Sequence, residues 1–336
     1  MSLRALGLWL AAALPAAAEP TAIRVEAAAE TEGMRGDADD PAIWADGADS
    51  LILGTDKEAG LHVYGLDGAQ RAFLPDGRLN NVDVRRVVVG GRELGLAGAT
   101  RRDDETLVFY LIEAGTVRRA VPWQHAAIPP GVPADDIYGF AMGLWEGRPL
   151  AIVNFKSGHV VLWRVHEAQG TIGLTPGRVV ALGSQPEGMV ADDRAGHLYV
   201  GEEDRGIWRL PLDPASEEAP RLVVPIPSPC LPRDDVEGLA IHDGADGVRR
   251  LVASAQGIHR AALFRLEGEA DPVCEALVEV APGAVDGVTE TDGLDVWTGP
   301  LPGFPEGLLV MMDDQNAGFT TNFKLIDWAA VAAGLP

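Results

Sequence analysis

The chain has 336 residues, enough for one large domain or two smaller ones. Its 50 acidic and 27 basic residues give a formal net charge of -23 at pH 7, which argues against nucleic acids and anionic membranes as partners. With 40 glycines, 24 prolines and 6% aromatic residues, the composition favours many short strands joined by turns over a few long helices.

The first twenty residues are typical of a secretory signal peptide. Arg4 precedes an apolar stretch that is too short to span a bilayer, and an A-x-A cleavage site ends at Ala18. We predict a signal peptide over residues 1–18 and a single mature domain over residues 19–336. The mature protein is then periplasmic or secreted.

One pattern repeats six times along the chain: an apolar strand, a polar turn and a second apolar strand. These hairpins occupy residues 51–66, 94–111, 150–165, 197–212, 251–266 and 307–328. A further short strand precedes each hairpin, at residues 39–44, 80–85, 138–145, 186–191, 236–241 and 291–296. Successive units are separated by roughly 40 to 55 residues, which is the spacing of four-stranded propeller blades.

The repeat therefore predicts an all-β fold, a six-bladed β-propeller. We expect residues 19–37 to supply a strand that closes the ring against the last blade. A β-sandwich pair or a solenoid is the alternative, but a sandwich would need a linker near the middle of the chain and none appears.

In a propeller the first strand of each blade lines the central channel, so equivalent residues converge on one axis. The first strands place one polar residue per blade in a ring at the channel mouth: Asp40, Asn81, Tyr138, Glu187, Glu237 and Asp292. The ends of the second strands form a second circle: Asp56 and Lys57, Arg101, Phe155 and Lys156, Glu203 and Asp204, Gln256, Asp313 and Asp314. Cations occupy its first three blades and, apart from Gln256, acids occupy the last three.

The donor atoms of this ring indicate calcium. A lone acid would be interpreted as a solvated turn residue, but six loops would not place oxygen donors at one repeat position by chance. Crowded carboxylates raise one another's pKa unless cations lie among them, and oxygen donors suit calcium. The seven histidines lack zinc-site spacing, and Cys230 and Cys274 lie far apart, either as a disulfide or as two buried free thiols.

The lysines indicate phosphate. The chain contains three lysines, and Lys57 and Lys156 fall at the same position of two repeats. Two solvated turn lysines are the alternative, but an ammonium on a flexible stem is a phosphate binder. Together with Arg101 they face the acids, which predicts a small-molecule polyanion that carries phosphate as the ligand. Arg102 follows Arg101 directly, so the sequence leaves open which of the two arginines is equivalent to the lysines.

Ten segments, in order from Glu30 to the C-terminus, resemble the β-propeller phytases. They read DADDPAIW, TDKEAGLHVYGLDG, LNNVDVR, IYGF, SQPEGMVADD, LYVGEEDRGIWRL, DVEGLAIH, ASAQG, TETDGLDV and NFKLIDW. The resemblance implies a calcium-dependent, 3-phytase-like phosphatase that acts on phytate, possesses a second phosphate subsite and uses several calcium ions. Glu58, His159 and the GIHR stretch after Gln256 depart from the family pattern.

The resemblance also implies roles for particular residues. The catalytic residues, which include the phosphate-binding residues, are Lys57, Arg101, Tyr138, Lys156, Glu187 and Glu203. The expected ligands of catalytic calcium are Asp39, Asp40, Glu187, Glu203, Asp235, Glu237 and Gln256. Glu30 is the expected ligand of a structural calcium, and the two circles add Asp292 and Asp313 as metal ligands.

The expected reaction is hydrolysis of phosphate monoesters by a calcium-bound water, while the cations neutralise charge on the phosphoryl oxygens. The expected substrate is phytate, also as its calcium complex, and the expected state is a monomer without nucleic-acid or membrane partners. One alternative is a calcium-dependent lactonase or esterase on a six-bladed propeller, which gives the aligned lysines no role. The other is a non-catalytic propeller that calcium stabilises and that binds a partner.

Overall fold

The computed structural model describes residues 19–121, 124–125, 131–133, 136–168, 171–244, 247–316, 318 and 320–336. The predicted signal peptide, residues 1–18, lies outside the described residues. Within this part of the chain, no helix has the length and the apolar character that a membrane span requires.

The described residues form six sheets that are arranged as the blades of a β-propeller, which confirms the predicted fold class. Blade one contains β3 (Ala38–Trp44), β4 (Leu51–Asp56), β5 (Gly60–Gly65) and β6 (Gln70–Leu74). Blade two contains β7 (Leu79–Val89), β8 (Arg92–Arg101), β9 (Thr106–Glu113), β10 (Thr116–Arg119) and β11 (Gln124–His125). Blade three contains β12 (Ile137–Trp145), β13 (Arg148–Phe155), β14 (His159–Ala168) and β15 (Thr171–Ala181).

Blades four to six continue the pattern of three or four antiparallel strands in chain order. Blade four contains β16 (Pro186–Asp192), β17 (His197–Glu202), β18 (Gly206–Pro211) and β19 (Arg221–Pro225). Blade five contains β20 (Val236–Asp243), β21 (Arg249–Ala255), β22 (Arg260–Leu266) and β23 (Val273–Ala281). Blade six contains β24 (Leu294–Trp297), β25 (Leu308–Asn316) and β26 (Thr320–Asp327).

The ring closes through strands from the N-terminal segment. β2 (Ala29–Glu30) pairs with β26 as the outer strand of blade six, with Glu30 opposite Lys324, which confirms the predicted closing strand. β1 (Thr21–Glu26) pairs in parallel with β23 and adds a fifth strand to blade five. The C-terminal helix α1 (Trp328–Ala332) buries Trp328 and Val331 in the core between blades five and six.

Neighbouring blades pack face to face, so their inner strands are buried on both sides and read as almost continuous apolar runs. All six residues of β4 are buried, for example. Between blades six and one, Ile52 and Tyr64 pack with Val310 and Phe323. This packing holds the first strands around the axis and so positions the residues at the channel mouth.

The two cysteines form a disulfide, which decides between the two alternatives that the sequence leaves open. Cys230 and Cys274 have Cα atoms 5.7 Å apart. The bond ties the loop that follows β19 in blade four to β23 in blade five. It therefore adds a covalent link between two neighbouring blades.

Candidate active site

A β-bulge at the start of the first strand sets which residues reach the channel mouth. In five blades the pairing of the first strand with the second strand changes register at the same point. The change lies between Ala38 and Pro41, Leu79 and Val82, Ile137 and Phe140, Pro186 and Met189, and Val236 and Leu239. A bulge inserts an extra residue and re-aims the side chains beside it. The residue after the first member of each pair is therefore equivalent from blade to blade: Asp39, Asn80, Tyr138, Glu187 and Glu237.

Close backbone contacts between blades extend the ring to blade six. A Cβ on Gly188 would overlap the carbonyl oxygen of Glu237, and Gly293 donates its N–H to the Asp39 carbonyl at 3.0 Å. Gly238 donates in the same way to Asp292. The ring residues are thus Asp39 and Asn80 in blades one and two, each one residue before the expected Asp40 and Asn81, with Asp292 in blade six as expected.

Asp40 lies at the bulge itself, where blades three to six carry glycine. Its Oδ2 accepts the Val82 N–H at 3.1 Å, and its side chain is buried. Burial raises the pKa of Asp40 well above its usual value, and Asp39 adds to the rise. The role of Asp40 as a metal ligand stays a prediction.

A backbone hydrogen bond defines the second circle in all six blades. In blades one to five the residue after the second strand donates its N–H to a carbonyl at the entrance of the same blade: Lys57 to Asp37, Arg102 to Arg78, Lys156 to Asp136, Glu203 to Gln185 and Gln256 to Asp235. In blade six the donor is Asp314, which lies within β25, and the acceptor is the Thr289 carbonyl. Arg102, and not Arg101, is therefore the counterpart of Lys57 and Lys156.

The two arginines have different surroundings. Arg101 donates from Nε to Asp104 Oδ1 at 2.8 Å and to Thr106 Oγ1 at 3.2 Å, so its guanidinium is turned towards its own hairpin. The Arg102 guanidinium lies over the Tyr138 ring, 5.6 Å from its centroid. A signal in the sequence supports the equivalence of Arg102 with the two lysines, because a polar residue lies two positions before each cation. These residues are Thr55 before Lys57, Thr100 before Arg102 and Asn154 before Lys156.

Three carboxylates gather on one side of the channel mouth. Glu187, Glu203 and Glu237 each offer an oxygen, and these oxygens lie within 4.8 Å of one another. Burial raises the pKa of Glu203 to about 7. The hydrogen bond from Gln185 lowers this pKa, and the Glu187 carboxylate raises it further. Burial and Glu187 also raise the pKa of Glu237 well above its usual value. The neighbouring Lys156 lowers the pKa of Glu203, but burial and the other carboxylates outweigh this effect.

Tyr138 joins this cluster to the cations. Its side chain faces Glu187: burial raises the pKa of Tyr138 above its usual value, and the neighbouring Glu187 carboxylate raises it further. The Lys156 ammonium lies 4.5 Å from the centroid of the Tyr138 ring, on which Arg102 also stacks. Asn80, which sequence reasoning missed, donates from Nδ2 to Glu187 Oε1 at 2.8 Å and so orients that carboxylate.

A second group of acids surrounds Lys57. Its Nζ lies 2.6 Å from Asp292 Oδ2, 3.5 Å from Asp39 Oδ1 and 3.6 Å from Asp37 Oδ2. Gln256 Nε2 donates to the other oxygen of Asp292. Burial raises the pKa of Asp292 to about 7 although Lys57 opposes the rise, and burial raises the pKa of Asp39 well above its usual value.

The residues at the mouth fit a hard cation. Oδ2 of Asp39, Oε2 of Glu237 and Oδ1 of Asn80 are buried and accept no hydrogen bond from the described residues. Buried oxygens without partners are costly, and oxygen donors of this kind are those that calcium prefers. Asp235 belongs to the same region, because its pKa is raised by burial and also by Glu187, and its φ of 82° is rare outside glycine.

Glu30 and Asp313 lie in another cluster, around the fully buried Lys324. Lys324 Nζ is 2.5 Å from Glu30 Oε2 and 3.3 Å from Asp313 Oδ2, and it also donates to Asp286. An ammonium thus occupies the centre of the site where the sequence predicts Glu30 as a ligand of structural calcium. The metal roles of Glu30 and Asp313 stay predictions.

The raised pKa values predict how the calcium-free protein responds to pH. The folded protein binds more protons than the unfolded chain between the ordinary carboxyl pKa near 4 and about 7. Its stability should therefore fall as pH rises through this window. Melting temperatures in a chelator across the window test this, and the fall should be shallower in Glu203→Gln. An equal slope in the two proteins would contradict the assignment to Glu203.

The fold and the site together define a class, a six-bladed propeller whose channel mouth sets carboxylates against cations. A family model described as Phytase matches residues 2–336. A 3-phytase of Bacillus subtilis (strain 168) is 33% identical over 317 residues, which cover 89% of this chain and 81% of that protein. The chain belongs to the phytase family, as the ten segments indicated, and is a phosphatase-type hydrolase.

A solved structure supports the fold alone. The soluble aldose sugar dehydrogenase of Escherichia coli, in its apo form, superposes with a TM-score of 0.50 at 13% sequence identity. The match covers 90% of this chain and 99% of that one. At this identity the similarity concerns the arrangement of blades.

Proposed function

We propose that the protein is a calcium-dependent phosphomonoester hydrolase that acts on phytate and releases phosphate. The observation that carries the proposal is the bridging position of Tyr138. It lies beside Glu187 of the acidic cluster, while Lys156 and Arg102 lie over its ring. An anion bound beside the Tyr138 ring contacts Lys156 and Arg102 on one side and faces a metal ion held by the acidic cluster on the other. Membership of the phytase family supports the choice of phytate.

The carboxylates divide into two ligand groups around the mouth. Glu187, Glu203, Glu237 and Asp235 belong to the first group, and Asp39, Asp292 and Gln256 to the second. When bound, calcium would supply positive charge against phosphoryl oxygens and would lower the pKa of a bound water, so that hydroxide is available to attack phosphorus.

The side chains of the chain itself then have separate tasks. Lys156 and Arg102 bind phosphoryl oxygens and neutralise the charge that develops on them. Asn80 hydrogen-bonds Glu187 and keeps its carboxylate in one orientation, and the Tyr138 ring lies between this carboxylate and the two cations. Lys57 provides a third cation at the edge of the second ligand group.

Phosphate release from phytate, measured against free calcium concentration, tests the proposal. We expect release that rises with calcium and stops in excess chelator. Glu187→Gln removes one charged ligand, so its response should shift to about tenfold higher calcium. Equal release with and without chelator would overturn calcium dependence. Melting that depends on calcium without any release would instead support the non-catalytic binding propeller.

We further propose that the protein is exported and acts as a monomer. The signal peptide predicted over residues 1–18 supports export. Mass spectrometry of the protein recovered outside the cytoplasm should show a mature N-terminus at Glu19. A chain that retains Met1 in that fraction would contradict cleavage.

A further inference from the structure

Lys57 and Lys156 occupy equivalent positions but have opposite surroundings. The Lys57 ammonium has three carboxylates within 4 Å, from Asp292, Asp39 and Asp37. For Lys156 the described residues provide no carboxylate at that distance, and its ammonium lies over the Tyr138 ring instead. One lysine is therefore placed for an anionic ligand, and the other is engaged by acids of the protein.

Of the acids that hold Lys57, Asp39 is the most deeply buried. Asp39 is 1% exposed, and its Oδ2 accepts no hydrogen bond from the described part of the chain. Burial lowers the pKa of Lys57, but Asp39 and Asp292 outweigh burial and raise it above its usual value. The ammonium thus serves as the counter-ion of this carboxylate pair, which otherwise would be buried without compensation.

A metal ion at these carboxylates needs the oxygens that Lys57 uses. Asp292 Oδ2 and Asp39 Oδ1 both face the Lys57 ammonium, at 2.6 and 3.5 Å. A calcium ion bound by the same oxygens lies about 2.3 to 2.6 Å from each of them, so the ammonium and the metal exclude one another. The Lys57 side chain is 21% exposed and ends on a flexible stem, so its ammonium has solvent into which it can move.

We propose that the Lys57 ammonium occupies the calcium position beside Asp39 and Asp292 in the metal-free protein and that calcium displaces it from these two carboxylates. The inference rests on the proposed function, because it takes calcium as the metal of this site. It adds that calcium loading and phosphate binding are linked. The metal that occupies the carboxylates also frees the lysine ammonium for a phosphoryl oxygen. In the metal-free protein Lys57 therefore binds phosphate poorly, whereas Lys156 is ready to bind.

Calcium titration calorimetry on the mature protein tests the displacement without any substrate. Lys57→Met keeps an unbranched four-atom stem and removes the ammonium, so calcium should bind about tenfold more tightly than to the wild type. Lys156→Met removes the same charge from the equivalent position of blade three and should leave the calcium affinity within about twofold. Lys57→Arg keeps a cation and should stay close to the wild type.

Thermal unfolding provides a second measurement. In chelator, Lys57→Met should melt below the wild type, because Asp39 and Asp292 lose their counter-ion. In saturating calcium the difference should largely disappear, so the calcium-induced rise in melting temperature should be larger for Lys57→Met than for Lys156→Met. This comparison remains informative if the chelated variant is weakly folded.

The outcomes separate this inference from the proposed function. Unchanged or weaker calcium binding in Lys57→Met, or an equal gain in Lys156→Met, would overturn the displacement even if the enzyme hydrolyses phytate. Tighter calcium binding in Lys57→Met alone would support it even if phytate is not hydrolysed. A wild-type protein that binds no calcium would overturn both.

Discussion

Arg102→Ala should lower kcat/KM for phytate hydrolysis by about 10²–10³, whereas Arg101→Ala should stay within about tenfold of the wild type. The reason is the repeat, because the backbone of Arg102 makes the same hydrogen bond as those of Lys57 and Lys156. Its guanidinium lies over Tyr138, while that of Arg101 is bound to Asp104. A guanidinium that contacts the charge developing on the phosphoryl oxygens lowers the activation barrier far more than a guanidinium bound to a carboxylate of its own turn.

Steady-state kinetics at saturating calcium measure both variants, and inhibition by inorganic phosphate provides a second reading. Phosphate should inhibit Arg102→Ala less than Arg101→Ala, since the product has lost a contact only in the former. Circular dichroism spectra that match the wild type are the control for folding of both variants. A larger loss in Arg101→Ala would show that the position equivalent to Lys57 is Arg101 after all.

Lys324→Met should reduce the free energy of unfolding by about 3 to 5 kcal/mol. Lys324 is fully buried, and Glu30, Asp286 and Asp313 surround its ammonium. Without the ammonium the buried Asp313 carboxylate loses its counter-ion, and the partly exposed Glu30 and Asp286 add negative charge beside it. Urea unfolding in chelator measures the loss. Calcium should recover part of it, because the three carboxylates then provide ligands for a divalent ion.

Arg265→Met is the matched control for Lys324→Met. Arg265 bonds Glu267 in a pair whose side chains are 42% and 51% exposed, so its removal should cost less than about 1 kcal/mol. A similar loss in the two variants would mean that the buried cluster contributes no more than a surface ion pair. That result would contradict the role of Lys324 as the internal counter-ion.

The architecture was predictable because the repeat is visible in apolar runs of similar length and in the turns between them. Each blade buries both faces, so its inner strands cannot be mistaken for solvated segments. The closing strand was predictable too, since six units require a partner for the last one. The arrangement of Tyr138, Glu187 and Glu237 on one ring was also predictable, because each side chain is followed by glycine at the bulge.

The errors of register have one cause. Asp39 and Asp40, Asn80 and Asn81, and Arg101 and Arg102 are doublets in which two like residues follow each other. Composition cannot distinguish the two members, and a bulge that shifts pairing by one residue decides which member reaches the mouth.

Partners across blades were not predictable from the sequence. Lys57 meets Asp292 across 235 positions of the chain, and Lys324 meets Glu30 across 294. Such contacts depend on the curvature of the closed ring, which local patterns do not encode. The polar residues of the site could therefore be identified from the sequence, but their ion pairs could not.

Closure of the ring also sets when the site can exist during synthesis. β2 at the start of the chain pairs with β26 at its end, and Lys57 of blade one meets Asp292 just before blade six. A nascent chain that has not yet delivered residue 327 lacks both the pairing and the complete mouth. The complete mouth therefore forms only when the last blade joins the first.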